Sequence, residues 1–225
     1  MTQKLNEWLE NRFKNASGKA VNPGNMKDAK RFAQELGSFV FALQKQKTTL
    51  GVEPSFANDF IGSDLTLFEA ELDALLLKNE KLVPAEFLHH QIDLALKKPW
   101  TGDKVWVLGD FFPKNVLVSA DGVLSNVVST DKNALGDPAW NLAIAWLIFD
   151  DKARKIFFSA AGADAATIDR ARILALRNGL TLYFSEDIDE LIQSRDSLTE
   201  ILKDYHFSGG IDGYDVGGIS EPEFI

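Results

Sequence analysis

Residues 106–143 read WVLGDFFPKNVLVSADGVLSNVVSTDKNALGDPAWNLA, and this stretch decides the fold. Within it and just before it, β-branched runs over 104–108, 115–119 and 123–129 predict short strands. The turn-forming sequence Ala-Asp-Gly at 120–122 joins the last two runs into a hairpin. Because the apolar residues elsewhere recur at helical spacing, the sequence predicts an α+β fold that is mainly helical, with a small β hairpin insert.

Helical periodicity is present on both sides of this stretch. The spacing predicts helices over 26–46, 63–78, 84–98, 138–149, 152–161, 166–184 and 188–205. Asn25 is the expected N-cap of the first of these, and Pro84 suits the first turn of the third. The small polar segment 16–25 predicts a loop, and the glycine-rich acidic residues 208–225 predict a flexible tail.

Composition excludes several classes of protein. The 225 residues are 45% hydrophobic and 25% charged, as in ordinary globular chains. A formal net charge of −9 opposes binding to nucleic acid or to an anionic membrane surface. The absence of cysteine excludes disulfides, thiolate metal sites and cysteine nucleophiles. With neither a signal-peptide pattern nor a long apolar run, we expect a cytoplasmic protein.

Two oxygen-bearing side chains follow the first predicted strand. Asp110 stands after Leu108 and Gly109, and Asn115 comes five residues later, before the hairpin. A loop braced by strands is where a base that activates a hydroxyl and a ligand for a hard cation can be held together. Asp and Asn beside a proline are also common turn formers, so a purely structural role is the alternative.

The order of motifs resembles the catalytic loop of the aminoglycoside phosphotransferase family, a kinase-like group that also contains choline and macrolide kinases. The matching segments are Gly109-Asp110, Asn115, Asp121-Gly122, Val128-Ser129, Gly136-Asp137-Pro138-Ala139 and Leu142-Ala143. The likeness continues through AIAWLIF and back through FAQELGSFVFALQKQ, so that it covers most of the chain. It implies the C-lobe of a protein-kinase-like fold.

The resemblance also implies roles for individual residues. Asp110 would be the catalytic base or hydroxyl-orienting carboxylate, and Asn115 would be a Mg²⁺ ligand, with Mg²⁺ and ATP as the cofactors. Gly109, Gly136, Asp137 and Pro138 would be structural, with Asp137 capping the helix that Pro138 begins.

Two substitutions depart from the family pattern. Leu108 replaces a histidine that normally precedes Gly-Asp, and Ser129 replaces the aspartate that is the main Mg²⁺ ligand. A hydroxyl is a weak neutral ligand, whereas phosphoryl transfer depends on the charge of the metal. Asp131 lies two residues further on, which is roughly 6.6 Å along a strand, so it could replace the ligand only through a local bulge.

The third departure concerns the N-lobe of kinase-like enzymes. No glycine-rich loop and no Val-Ala-Ile-Lys-like strand precede the matched region, so the N-lobe is expected to be absent. On this interpretation residues 1–25 are a hinge remnant and loop, 26–207 form the C-lobe, and 208–225 form the tail. The cleft face would then be exposed, and it would favour a homodimer or another partner.

The predicted function is that of a small-molecule kinase-like domain that is degenerate and catalytically impaired. One alternative is an active phosphotransferase completed by an N-lobe in trans. The other is a binding module that keeps an acceptor pocket for a cationic small molecule. The resemblance implies that acidic residues near the C-terminal helices would hold its ammonium groups: Glu186, Asp187, Asp189, Glu190, Asp196, Glu200 and Asp204. The first four stand at a predicted helix start, where capping and solvation are the alternative.

Overall fold

Helices precede and follow a group of short strands along the chain, as the sequence predicts. The computed structural model describes residues 3–13, 17–49 and 51–206; the predicted tail lies outside them. The elements are α1 (Gln3–Arg12), β1 (Lys19–Ala20), α2 (Ala29–Gln44), α3 (Glu69–Lys78), α4 (Ala85–Leu96), β2 (Val105–Val107), β3 (Val116–Val118), β4 (Leu124–Val127), β5 (Ala134–Gly136), α5 (Ala145–Ile148), α6 (Asp151–Ala161), α7 (Ala165–Leu182) and α8 (Ile188–Asp204). The mainly helical α+β class is confirmed.

The first long helix, α2, begins later than predicted, and its cap is a different residue. Asp28 is the N-cap, and its carboxylate accepts hydrogen bonds from the backbone N of Lys30 and Arg31, both at 3.0 Å. The prediction of Asn25 was wrong, because the Asn25 amide donates instead to the Ala20 carbonyl at 2.8 Å. A carboxylate both caps the helix and complements its dipole, whereas an amide only caps.

Three other predicted helices start differently from expectation. The segment 63–78 begins with a 3₁₀ turn at Leu65–Phe68 before α3, and Pro84 lies at the N-cap of α4 rather than in its first turn. The segment 138–149 is a 3₁₀ turn, Pro138–Asn141, followed by the short α5. In this 3₁₀ turn the Asn141 side chain bonds to the backbone of Trp106 and Leu108, at the end of β2.

The strands form two small antiparallel sheets. The predicted hairpin is present, with β3 and β4 paired and β1 added on the other side of β3. Gly122 closes the hairpin turn at φ 81°, a conformation that favours glycine. The strand β2, which lies in the predicted run 104–108, does not pair with the hairpin. It pairs with β5 instead, and Trp106 lies opposite Leu135. The two- and three-residue strands β1 and β5 carry too little pattern to be predicted.

The chain divides into two compact units. The first contains the described residues up to 64 together with 100–171, which include both sheets. The second contains 65–99 and the described residues from 172 onward. Within the described residues, no helix is long and apolar enough to cross a membrane.

Close packing of α2 on α6 builds the core of the first unit. A side chain at Gly37 would place its Cβ 2.5 Å from the carbonyl oxygen of Phe157 and 2.7 Å from the Cβ of Ala160, so the two helices touch through backbone. Around this contact the rings of Phe32 and Phe149 lie 6.3 Å apart, and those of Phe149 and Phe157 lie 5.6 Å apart. Glycine at position 37 therefore sets the helix separation.

We expect Gly37→Ala to lower the free energy of unfolding by about 1–3 kcal/mol, because the new methyl group collides with backbone that cannot rotate away. The clash outweighs the gain of roughly 0.5–1 kcal/mol in helix propensity. Urea unfolding measures the change. Ser38→Ala is the matched control, since residue 38 is exposed on the same helix and should change stability by under about 0.5 kcal/mol. A Gly37→Ala chain as stable as its parent would contradict this packing.

Candidate functional site

Two buried asparagines hold the backbone of the loop that begins after β2. The Asn141 side chain accepts from the Leu108 N–H at 3.1 Å and donates to the Trp106 carbonyl at 2.8 Å. The Asn133 side chain accepts from the Gly109 N–H at 2.9 Å. Both asparagines are fully buried. The backbone around the apolar Leu108 is therefore braced by side-chain amides that sequence reasoning did not identify.

Asp110 and Asn115 are brought together at this loop. Asp110 has a left-handed backbone, φ 52°, which is uncommon outside glycine. Its carbonyl oxygen accepts hydrogen bonds from the Asn115 side-chain amide at 2.7 Å and from the Phe112 N–H at 2.8 Å. The Asn115 amide thus fixes the turn that presents the Asp110 carboxylate, which is about one third exposed.

The Ser129 hydroxyl both donates and accepts a hydrogen bond. Its Oγ donates to Asn6 Oδ1 at 2.9 Å and accepts from Asn133 Nδ2 at 2.7 Å. The two amides come from α1 and from the segment before β5. The hydroxyl therefore links these parts of the first unit.

Asp131 does not lie on a strand, which corrects the spacing argument made from the sequence. The strand β4 ends at Val127, and Asp131 is exposed in the turn that follows. Thr130 shapes that turn, since its hydroxyl donates to the Gly109 carbonyl at 3.2 Å and accepts from the Lys132 N–H at 3.3 Å. A distance counted along an extended chain does not apply here.

Lys132 was missed by sequence reasoning and lies at the centre of the site. Its ammonium nitrogen is 2.8 Å from Asp59 Oδ2 and 3.6 Å from Asp110 Oδ1. The hydrogen bond to Asp59 and then the charge of Asp110 raise the pKa of Lys132 above its ordinary value. A Cβ on Gly109 would lie 2.4 Å from the Cβ of Lys132, so glycine is needed for this approach. The lysine charge is held directly beside the candidate base.

The residues at this place do not fit a divalent cation. Mg²⁺ favours carboxylate and other oxygen ligands at 2.0–2.1 Å in octahedral geometry. The carboxylate of Asp110 faces an ammonium group, and the hydroxyl of Ser129 already has a donor and an acceptor. In the part of the chain that the structure describes, no group of three or more acidic or histidine side chains could hold a metal ion.

The groove that contains Ser129 does not fit a triphosphate either. It measures about 530 Å³. Its lining residues are Asn6, Leu9, Glu10, Phe13, Asn126, Val127, Val128 and Ser129. The single charged side chain among these is the carboxylate of Glu10, which repels phosphate.

Asp137 caps the 3₁₀ turn that Pro138 begins and also forms a buried ion pair. Its Oδ1 accepts from the Ala139 N–H at 2.9 Å. The Arg170 guanidinium donates to both carboxylate oxygens, at 2.6 and 3.0 Å, and both side chains are more than nine-tenths buried. The preceding Gly136 has no room for a side chain, because a Cβ would lie 1.9 Å from the Gly62 carbonyl oxygen.

We expect Arg170→Met to lower the free energy of unfolding by about 3–5 kcal/mol, since it leaves the Asp137 charge buried without its partner. Adding Asp137→Asn should recover part of the loss, because the asparagine keeps the cap and removes the charge. Arg31→Met is the control: Arg31 pairs with Glu35 at the surface, where such pairs contribute under about 1 kcal/mol. Urea unfolding of the variants checks these values; no recovery in the double variant would contradict the charge argument.

Four of the seven carboxylates of the predicted acceptor pocket cap a helix or have a polar partner: Asp187, Glu190, Glu200 and Asp204. Asp187 accepts from the backbone N of Asp189 and Glu190, and Glu190 accepts from the Ser185 hydroxyl. Glu200 pairs with Lys203 at 3.1 Å, and Asp204 pairs with Arg172 at 3.4 Å. These carboxylates of the predicted acceptor pocket therefore have partners within the chain.

Comparisons with known proteins identify relatives of this chain. A model described as the phosphotransferase enzyme family matches residues 12–176. The GDP and kanamycin complex of APH(2")-IIia is 12% identical, with a TM-score of 0.59, over 84% of this chain and 69% of that one. The apoenzyme of the macrolide 2'-phosphotransferase MphH from Brachybacterium faecium is 17% identical, with a TM-score of 0.51, over 81% and 67%. At these identities the likeness shows the fold. No curated protein matches significantly.

Proposed function

The chain belongs to the phosphotransferase enzyme family, and from that premise we propose that it is a phosphotransferase-like domain whose own residues do not support phosphoryl transfer. The observation that carries the proposal is the contact of the Lys132 ammonium with the Asp110 carboxylate at 3.6 Å. By resemblance, Asp110 is the residue that would orient or deprotonate the acceptor hydroxyl. A carboxylate whose negative charge is offset by a nearby ammonium group is a weaker base toward a substrate proton.

The loss of metal ligands supports the same proposal. Phosphoryl transfer needs cationic charge beside the transferred group to neutralise its oxygens, and in kinases metal ions supply that charge. Ser129 stands where the family has its main carboxylate ligand, and its hydroxyl is bonded to Asn6 and Asn133. Lys132 supplies one positive charge, but two carboxylates already neutralise it.

We assign the matched helices and the hairpin to the C-lobe of the kinase-like fold. The family model supports this assignment because it matches residues 12–176, which include α2, the hairpin and the first part of α7. The two structural relatives support it through a shared fold over most of the chain. A phosphotransferase completed by a lobe from a second chain is the alternative function. It would require the second chain to supply the strands that cover a nucleotide.

Isothermal titration of the chain with Mg·ATP tests the proposal. We expect no binding tighter than about 1 mM, because the described residues contain no group of three or more acidic or histidine side chains that could hold the metal ion beside the phosphates. ATP with EDTA is the control for any metal-independent heat. A micromolar dissociation constant that Asp110→Ala or Asn115→Ala abolishes would overturn the proposal and restore an enzyme.

A thermal-shift series with spermine and kanamycin tests the second alternative, a pocket for cationic small molecules. Since carboxylates near α8 are engaged in caps and pairs, we expect any stabilisation at low salt to disappear at about 0.5 M salt, as for scattered surface charges. Glucose is a neutral control. Stabilisation that persists at high salt would favour the binding module over our proposal.

A further inference from the structure

The Lys132 ammonium lies where two carboxylates from distant segments meet. Asp59 belongs to the irregular segment between α2 and α3, and Asp110 to the loop after β2. Asp59 and its neighbour Phe60 have left-handed backbones, φ 53° and 55°, and Asp110 has φ 52°. Such conformations are unfavourable for residues with side chains and persist where surrounding contacts hold them.

The stem of Lys132 is fixed by packing, so the ammonium is not a freely moving surface charge. Its Cβ and backbone lie against Gly109, where no side chain intervenes, and its N–H donates to Thr130. The Lys132 side chain is 35% exposed, compared with 55% for Lys104, which pairs with Glu53 of the same irregular segment. Lys132 has two carboxylate partners, and Lys104 has one.

We propose that Lys132 is a built-in counter-ion, whose ammonium takes the place of a free divalent cation between Asp59 and Asp110 and joins their two segments. The proposal rests on the proposed function in one respect, that no metal ion is bound at Asp110 in the native chain. The proposal goes beyond that function in two ways. It names the Lys132 ammonium as the group that excludes a metal ion, and it names Asp59 as the second carboxylate that would bind a metal ion if the ammonium were removed.

The chemistry of the partners supports this exchange. The ammonium nitrogen lies 2.8 Å from an oxygen of Asp59 and 3.6 Å from an oxygen of Asp110. Removing it leaves two neighbouring carboxylates without the cation between them, and their like charges repel. A divalent cation would relieve this repulsion, and carboxylate oxygens are suitable ligands for Ca²⁺ and Mn²⁺. In the native chain the Lys132 ammonium would repel the same cation, so the cation would bind weakly.

The test measures Mn²⁺ binding to the full chain by electron paramagnetic resonance, at a temperature where each variant is folded by circular dichroism. We expect Lys132→Met to bind Mn²⁺ at least about tenfold more tightly than the native chain, because one opposing charge is removed from the site. Lys132→Arg keeps the positive charge and should show no gain. Lys104→Met removes a lysine with one carboxylate partner and should also show no gain.

The double variants identify the ligands. Adding Asp59→Asn or Asp110→Asn to Lys132→Met should abolish the gain, which would support a site made of these two carboxylates. A folded Lys132→Met chain without tighter binding, or an equal gain in Lys104→Met, would overturn the inference while leaving the proposed function intact. Tight Mn²⁺ binding by the native chain that depends on Asp110 would overturn both.

Discussion

The loop that carries Asp110 keeps its shape because two buried asparagines supply hydrogen bonds that the neighbouring strands cannot. Asn141 bonds to the backbone on both sides of Val107, and Asn133 bonds to the Gly109 N–H. A buried N–H group left without a partner costs about 1–3 kcal/mol, so both amides are needed where the strand ends. The same Asn133 also binds Ser129, so this one side chain joins the Asp110 loop to the segment that follows β4.

Local pattern was enough to predict the elements that are regular and long. The helices α6, α7 and α8 and the β3–β4 hairpin follow from apolar spacing and from the Asp-Gly turn. What the pattern could not predict are contacts between residues far apart in the chain. Lys132 meets Asp59, and Arg170 meets Asp137, yet a single lysine or arginine in a sequence gives no sign of the carboxylate that it will contact.

The family motif could be found from the sequence because its order and spacing are preserved, but its chemistry depends on side chains outside the motif. Asp137 is neutralised by Arg170, which lies deep in α7, and Asp110 is neutralised by Lys132. The first pair is buried and bidentate, which suits a structural role. The Asp110–Lys132 pair is partly exposed, and its ammonium also contacts Asp59. The charge of the candidate base is therefore compensated by a residue of the same chain.

The hydroxyl of Ser129 has a further consequence for how the first unit opens. It completes a continuous path of hydrogen bonds from Asn6 in α1, through Asn133, to the Gly109 amide. When α1 frays, the Ser129 proton loses its acceptor and the path to Gly109 is broken at its first bond. The Gly109 N–H keeps its own bond to Asn133, so the fraying of α1 is felt there only through the loss of one support of the Asn133 amide.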